Sequence, residues 1–383
     1  MDSPEDFVYM PRITNYGITQ PSALKLIDCT VIRGAAILSI AFHNYYHRLM
    51  VNVLENEMTF DPQRVLAFGS AVIDPRYTIQ TLFSFLGHFG VQLFMFLSAY
   101  GLAIKHGGAE PPPWAAFVWG RIRKLYPMFL TVVLVWALVT ALPHGATGFR
   151  HLAENHGVAL VLMIFAVSDL VPGYGSPPIG PLWFMPFIVQ FYCLWPLLVR
   201  LVNRFGKAGL VILAAACFGL TYAVNGTLLS RWHINLLYSP IGHMPELCLG
   251  IAAARYGFYP GVTCAIAAVL VFVLANFYAA FWLFSFPAML IIALWLYAAV
   301  RRSISSNALL QYAGALAMPI FLINGPVRRY ALLVPYHDNS WLIGLMMGFG
   351  SVGTAILLAA LLAGAMRYLQ ERPRAQAQTQ SHR

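Results

Sequence analysis

Charged residues are scarce in this chain of 383 residues, where Asp, Glu, Lys and Arg together make up only 10%. Soluble domains carry about a quarter charged residues, and no polar stretch here is long enough to form such a domain. Soluble enzymes and soluble binding modules are therefore excluded. Hydrophobic residues instead make up 59% of the chain, with a mean hydropathy of +0.68, which indicates a polytopic integral membrane protein.

Cysteine and acidic residues are also few. The five cysteines lie in or beside apolar segments and form no CxxC or Cys/His cluster, so we expect neither a disulfide nor a bound metal. The 14 acidic residues are outnumbered by 24 Lys and Arg, which gives a formal net charge of +10. The basic residues stand in short clusters between apolar runs, as the positive-inside rule predicts. We therefore expect no nucleic-acid partner.

Apolar runs of about 20 residues predict an all-α fold of about ten transmembrane helices. The predicted spans are 27–48, 79–104, 124–142, 183–201, 208–225, 236–254, 260–278, 281–300, 311–333 and 342–366. A further apolar run, 157–167, is too short to cross. If it does not cross, the basic clusters and both termini share one side, so we predict a short non-spanning segment on the outer side.

This orientation divides the chain into three parts. Residues 1–22 form a cytoplasmic tail, 23–369 the membrane domain, and 370–383 a second, polar cytoplasmic tail. The largest outer loop, 143–182, carries a Pro- and Gly-rich stretch that leads into Trp183. This stretch is either a lid or acceptor platform over a membrane site, or a passive connector.

Two ionisable residues, Arg33 and His43, lie within the first predicted span. Such residues are costly at membrane depth and usually face a protein interior or a water-filled cavity, so each is a functional hypothesis. The alternative is that Arg33 extends to the lipid headgroups and that His43 forms a hydrogen bond with a neighbouring helix.

Polar side chains from several other predicted spans fall at a depth similar to that of His43. They are His88, Gln190, His243, Glu246 and Asn324, with His47 further out. Groups that converge from well-separated helices favour a polar cavity, in which a neutral His accepts a proton from a hydroxyl group. Glu246 would orient such a His or act as a base itself, or it would merely pair with a neighbouring Arg or His.

A second group of basic residues lies toward the predicted cytoplasmic side. Arg33 falls near the level of Arg121, Arg123 and Lys124. Guanidinium groups suit phosphates through bidentate hydrogen bonds, which favours a phosphorylated cofactor that enters from the cytosol. The alternative is that these charges only set the topology.

Five stretches carry a family resemblance. They are Leu26-Ile27-Asp28 followed by Arg33-Gly34 and His43, GVQLFMFLS at 90–98, RIRKLYP at 121–127, LWFMP at 182–186 with Gln190, Tyr192 and Pro196, and PIFLIN at 319–324. In this order they resemble the motifs of acyltransferase family 3, the OafA/NolL-type membrane O-acyltransferases. Nine residues separate Arg33 from His43 where the family usually has ten, so His47 is a further candidate. Asn324 stands where the family usually has a His.

The resemblance implies transfer of an acyl group, commonly acetyl from acetyl-CoA, to sugar hydroxyls on the far side of the membrane. Arg33 would bind or position the acyl-CoA, with help from Arg121 and Arg123. His43 would be the catalytic base or a transient acyl carrier. The implied setting is a bacterial inner membrane, with acyl-CoA as a donor substrate rather than a permanently bound cofactor, and with a polysaccharide or lipid-linked glycan as acceptor.

We therefore predict a membrane O-acyltransferase in which His43, Arg33 and Glu246 are catalytic. Arg33, Arg121 and Arg123 would bind the donor. The predicted acceptor-binding residues are His47, His88, Trp183, Gln190, His243 and Asn324. Two other classes of function remain: a transporter or flippase whose polar layer lines a translocation path, and a non-catalytic subunit of a polysaccharide export complex. Binding of CoA separates the first hypothesis from both.

Overall fold

The computed structural model describes residues 24–49, 55–106, 110–257, 260–331 and 340–381, with side chains to residue 369. Every regular element within these ranges is a helix, which confirms the predicted all-α class. The predicted tail 1–22 lies outside the described residues. At the other end the last helix continues to Ser381, so the predicted polar tail from residue 370 is helical up to that point.

Thirteen α-helices make up the described part of the chain. They are α1 (Leu26–Leu49), α2 (Pro62–Val72), α3 (Thr78–Leu86), α4 (Gly90–Lys105), α5 (Trp114–Ala141), α6 (Gly145–Ile164), α7 (Phe184–Trp232), α8 (Met244–Tyr256), α9 (Val262–Phe277), α10 (Ser285–Ile304), α11 (Ala308–Ala315), α12 (Ala317–Ala331) and α13 (Trp341–Ser381). Short 3₁₀ segments join several of them, including Gly87–Phe89 between α3 and α4.

Six helical segments of the described ranges are long and apolar enough to cross a membrane. A seventh is added if α11 and α12, which are bent by 81°, form one span. The six are Leu26–Leu49, Thr78–Lys105, Trp114–Ile164, Gly180–Trp232, Ala279–Ile304 and Trp341–Leu369. The protein is therefore an all-α, multi-pass membrane protein. Predicted spans six and seven correspond to α8 and α9, which are shorter than the roughly 20 residues of a full crossing.

Two of these six segments turn back on themselves. The Tyr126 hydroxyl of α5 donates to the Ile164 carbonyl of α6 at 2.7 Å, so α6 runs antiparallel to α5. The short run 157–167 therefore belongs mainly to a 20-residue helix that begins at Gly145, inside the predicted loop 143–182. In α7 the direction reverses at Gly206, whose φ of 59° is accessible to glycine.

Helix α1 lies at the centre of the molecule and packs against α3, α4, α11, α12 and α13. Its closest approach is to α11, where two glycines face opposing backbones. A Cβ atom on Gly34 would lie 1.9 Å from the Leu310 carbonyl oxygen, and one on Gly314 would lie 1.9 Å from the Thr30 carbonyl oxygen. The two backbones can therefore meet only where both helices lack a side chain.

A buried carboxylate fixes the first turn of α1 to α10. Asp28 accepts hydrogen bonds from the Tyr297 hydroxyl at 2.6 Å and from the Arg301 guanidinium, and also from the backbone N–H of Lys25 at 2.8 Å. A carboxylate with only 1% of its surface exposed needs such partners to remain ionised. The Asp28 of the first motif is thus structural.

Substitution of Gly34 tests the contact between α1 and α11. Gly34→Val would force the helices apart, and we expect it to lower the free energy of unfolding by about 1–3 kcal/mol or more. Gly353→Ala in α13 is the matched control, because a Cβ there meets no atom within 4 Å. Thermal unfolding in detergent measures both variants, and equal melting temperatures would contradict the packing described here.

Candidate active site

Three histidines and one glutamate meet at the end of α1 that carries His43. The His43 ring is buried and lies 4.5 Å from the His47 ring and 5.5 Å from the His88 ring, measured between centroids. Its Nδ1 lies 3.0 Å from the Ser84 carbonyl oxygen. Since a carbonyl only accepts, Nδ1 carries the proton, and the lone pair of Nε2 is left for another partner.

The fourth member of the cluster, Glu55, was missed by sequence analysis. Its Oε1 lies 3.4 Å from His47 Nδ1 and 4.0 Å from His43 Nε2. Its Oε2 is buried and has no hydrogen-bond partner among the described residues. Glu55 stands outside every apolar run, in a loop that also carries Glu57 and Asp61, and nothing in the sequence distinguishes it from these two acidic residues.

The segment 55–61 is fastened over the cluster by hydrogen bonds to its backbone. Arg64 donates to the Glu55 carbonyl at 2.9 Å, Trp282 donates to the Asn56 carbonyl at 2.6 Å, and Asn235 donates to the Met58 carbonyl at 2.9 Å. Two distant parts of the chain and the neighbouring helix α2 thus hold this segment. The position of the Glu55 carboxylate follows from the fold.

The Glu55 carboxylate is ionised in this setting. Burial alone would raise its pKa, but the hydrogen bond with His47 and the charges of the neighbouring imidazoles lower the pKa below its usual range. The carboxylate does not pair with the nearby Arg64, because that guanidinium is bonded to the carbonyl oxygens of Glu55 and Thr59.

A second buried pair, His243 and Glu246, lies beyond a row of aromatic rings. His88 contacts Phe89, Phe89 contacts Phe286, and Phe286 contacts the His243 ring. His243 Nδ1 lies 3.8 Å from Glu246 Oε2, and its Nε2 lies 3.0 Å from the Leu237 carbonyl oxygen. His243 and Glu246 are therefore neighbours that share no hydrogen bond, since both facing atoms are without a partner among the described residues, and the carboxylate next to His43 is that of Glu55.

Helix α12 brings Asn324 toward the same region. Arg328 on this helix donates to the Asn44 carbonyl of α1 at 3.1 Å. Asn324 lies one turn earlier, has 1% of its surface exposed, and has an Nδ2 without a hydrogen-bond partner in the described ranges. A buried amide donor with no partner is costly in the protein alone, and it is available to a ligand that offers an oxygen.

Arg33 lies on α1 about 15 Å from His43 along the helix axis. It is buried, and its Nε and Nη2 atoms have no hydrogen-bond partner within the described part of the chain. At about 100° per residue, His43 lies about 80° around the helix from Arg33, and His47 only about 40°. Arg33 thus offers unused donors on the side of α1 nearer to His47.

The predicted cationic group is only partly assembled. Arg121 is half-buried between the rings of Phe117 and Tyr192, at 5.2 and 5.5 Å from their centroids, whereas Arg123 is exposed. These two rings belong to α5 and α7 and not to α1. Arg33 and Arg121 therefore form separate positive positions.

Comparison with known protein families agrees with this arrangement. A family model described as an acyltransferase domain matches residues 27–362, nearly the whole chain. The chain belongs to acyltransferase family 3. The protein is thus a membrane acyltransferase, as the five motifs predicted. No curated protein and no solved structure matches the chain.

Two residues predicted to bind the acceptor, Gln190 and Trp183, contact other parts of this family 3 protein. The Gln190 amide donates to the Ala166 carbonyl at 3.0 Å and to Asp169 Oδ1 at 2.6 Å, which fixes the turn after α6. The Trp183 ring lies just before α7 and the Tyr238 ring lies just after it, and the two ring centroids are 5.5 Å apart. Both contacts indicate structural roles.

One part of this family 3 site bears on the expectation of no metal, which stays a prediction. The ligand atoms of His43, His47 and Glu55 lie within 4.8 Å of one another, a separation compatible with a shared metal ion. The signal available in the sequence was the spacing of the two histidines, four residues apart on one helix face.

Removal of the Gln190 amide separates a structural from a binding role. Gln190→Leu would leave the buried Asp169 carboxylate without its amide partner, and we expect a loss of about 1–3 kcal/mol in the free energy of unfolding. Chemical denaturation in detergent measures this loss. Unchanged stability together with a raised KM for the acceptor would assign Gln190 to binding instead.

Proposed function

We propose that this protein is an O-acyltransferase that moves an acetyl group from cytosolic acetyl-CoA to a hydroxyl of a cell-surface or exported polysaccharide. Membership of acyltransferase family 3 supports acyl transfer in general. The observation that carries the acceptor chemistry is the state of His43: its Nδ1 is committed to the Ser84 carbonyl, and its Nε2 faces the Glu55 carboxylate.

In this mechanism His43 Nε2 removes the proton of the acceptor hydroxyl as its oxygen attacks the thioester carbonyl. The tetrahedral oxyanion accepts a hydrogen bond from Asn324 Nδ2, which has no protein partner among the described residues. When the intermediate collapses, the C–S bond breaks and the His43 imidazolium returns its proton to the sulfur of CoA. The Glu55 carboxylate stabilises the transient imidazolium.

The donor binds at the other end of α1 in this proposal. The free Nε and Nη2 donors of Arg33 would hold an anionic or carbonyl group of acetyl-CoA. Arg121 would supply positive charge nearer the cytosol. Because Arg33 and His43 are about 15 Å apart along the helix, the flexible arm of CoA would carry the thioester to the cluster.

The proposed orientation follows from charge. Ten crossings, with a reversal in α7, with α6 lying on the outer side without a crossing of its own and with both termini cytoplasmic, would place the basic clusters on the cytosolic side of a bacterial inner membrane. The segment 55–61 and the His43 cluster then face the outer side, where the glycan would arrive.

The deciding experiment measures transfer of radiolabelled acetyl from acetyl-CoA to glycan in membranes. We expect His43→Ala to lower the rate by about 10²- to 10⁴-fold, the usual contribution of a general base. His151→Ala is the control, because His151 is exposed on α6. Equal rates for His43→Ala and wild type would remove His43 from the chemistry, and absence of CoA binding by the wild type would favour transport.

A second variant tests the donor site. Arg33→Gln should raise the KM for acetyl-CoA at least tenfold with a smaller change in kcat, because the lost contact holds the bound donor before and during transfer. Arg123→Gln, on an exposed side chain, should change the KM little. Equal effects of the two substitutions would show that Arg33 contributes only general positive charge.

A further inference from the structure

When its three imidazoles are neutral, the cluster around Glu55 contains no positive charge among the residues that the structure describes. One ionised carboxylate faces three imidazoles, and the nearest guanidinium, that of Arg64, is bonded to backbone carbonyls instead. Glu55 Oε2 and both ring nitrogens of His88 are buried without hydrogen-bond partners among the described residues. A buried carboxylate in this situation favours a cation.

The ligand atoms are already close to the geometry of a transition-metal site. His47 Nδ1 and Glu55 Oε1 are 3.4 Å apart, and His43 Nε2 and Glu55 Oε1 are 4.0 Å apart. In a tetrahedral zinc site with bonds of about 2.0–2.2 Å, ligand atoms are separated by roughly 3.3 Å. That geometry requires a contraction of about 0.7 Å between His43 and Glu55, together with an adjustment of the His43 and His47 rings, whose ligand atoms lie within 4.8 Å of each other.

The surroundings of His43 also match those of a metal ligand. A ligating His usually donates its other ring N–H to a carbonyl or carboxylate, which fixes the tautomer and the ring. The Ser84 carbonyl does this for His43 Nδ1. Two histidines with one carboxylate form a ligand set that zinc accepts, with a fourth position for water.

We propose that His43, His47 and Glu55 bind a Zn²⁺ ion, which holds the enzyme in an inactive state. The ion takes the Nε2 lone pair of His43 and occupies the space that the acceptor hydroxyl would enter. Zinc binding follows from the three side chains alone. The inhibitory consequence rests on the proposed function, because only there does His43 Nε2 remove a proton.

Binding is tested with the purified, untagged full-length chain in lipid nanodiscs, treated with chelator and titrated with ZnCl₂ in a calorimeter. We expect one Zn²⁺ per chain. His47→Ala and Glu55→Gln should each weaken binding at least about tenfold, whereas the exposed-site control His151→Ala should bind as the wild type does. Elution on size exclusion checks that each variant is folded, and Glu55→Asp, which keeps a carboxylate, should bind more tightly than Glu55→Gln.

Absence of saturable binding by the wild type, or equal affinities of all the variants, would overturn the metal site. Inhibition is tested separately by adding Zn²⁺ to the acetyl-transfer assay. Transfer should fall with the same half-saturation as binding and recover with chelator, and a rise in transfer would overturn the inhibitory role. The calorimetric result needs no donor, so it stands even if the chain transfers no acetyl group.

Discussion

Direct contact between the backbones of α1 and α11 places the polar groups of α1. At Gly34 and Gly314 the Cα atom of one helix lies against a backbone carbonyl of the other. The helices are so close there that no side chain fits between them. Nearly two turns earlier, Asp28 binds Tyr297 and Arg301 of α10 and so limits both rotation and sliding of α1. A helix held in this way presents its later turns at a defined angle, and that angle directs His43 to the Ser84 carbonyl.

The polar cluster is completed from outside α1. Glu55 reaches His47 and His43 because Asn235 and Trp282, both remote in sequence, and the nearby Arg64 bind the backbone of segment 55–61. A carboxylate buried among imidazoles is costly unless it meets a positive charge. In the proposed mechanism that charge is the transient imidazolium, and in the inhibited state it is a metal ion. The same electrostatic need therefore connects catalysis with its control.

Helix α1 carries two separate groups of polar atoms. The unpartnered donors of Arg33 lie toward one end, and His43 lies toward the other. About 15 Å of helix lies between them, and aromatic rings separate the His43 cluster from His243 and Glu246. The polar residues assigned to one layer thus form separate side-chain groups, and the first of these groups is the His43 cluster. Helix α12 connects to the first of these groups through the bond from Arg328 to Asn44.

The membrane class, the helical fold and the family could all be predicted from the sequence, because hydropathy and helical period are local properties of the chain. The same reasoning placed His43 and His47 on one face of α1 and His88 at a similar depth. It assigned the polar residues to one depth but gave no lateral position for any of them. Only the tertiary structure separated Glu246 from His43, engaged Gln190 with Asp169 and brought Glu55 to the histidines. These outcomes depend on which helix faces meet and on how loops are bonded across the fold, and neither leaves a periodic signal in the sequence.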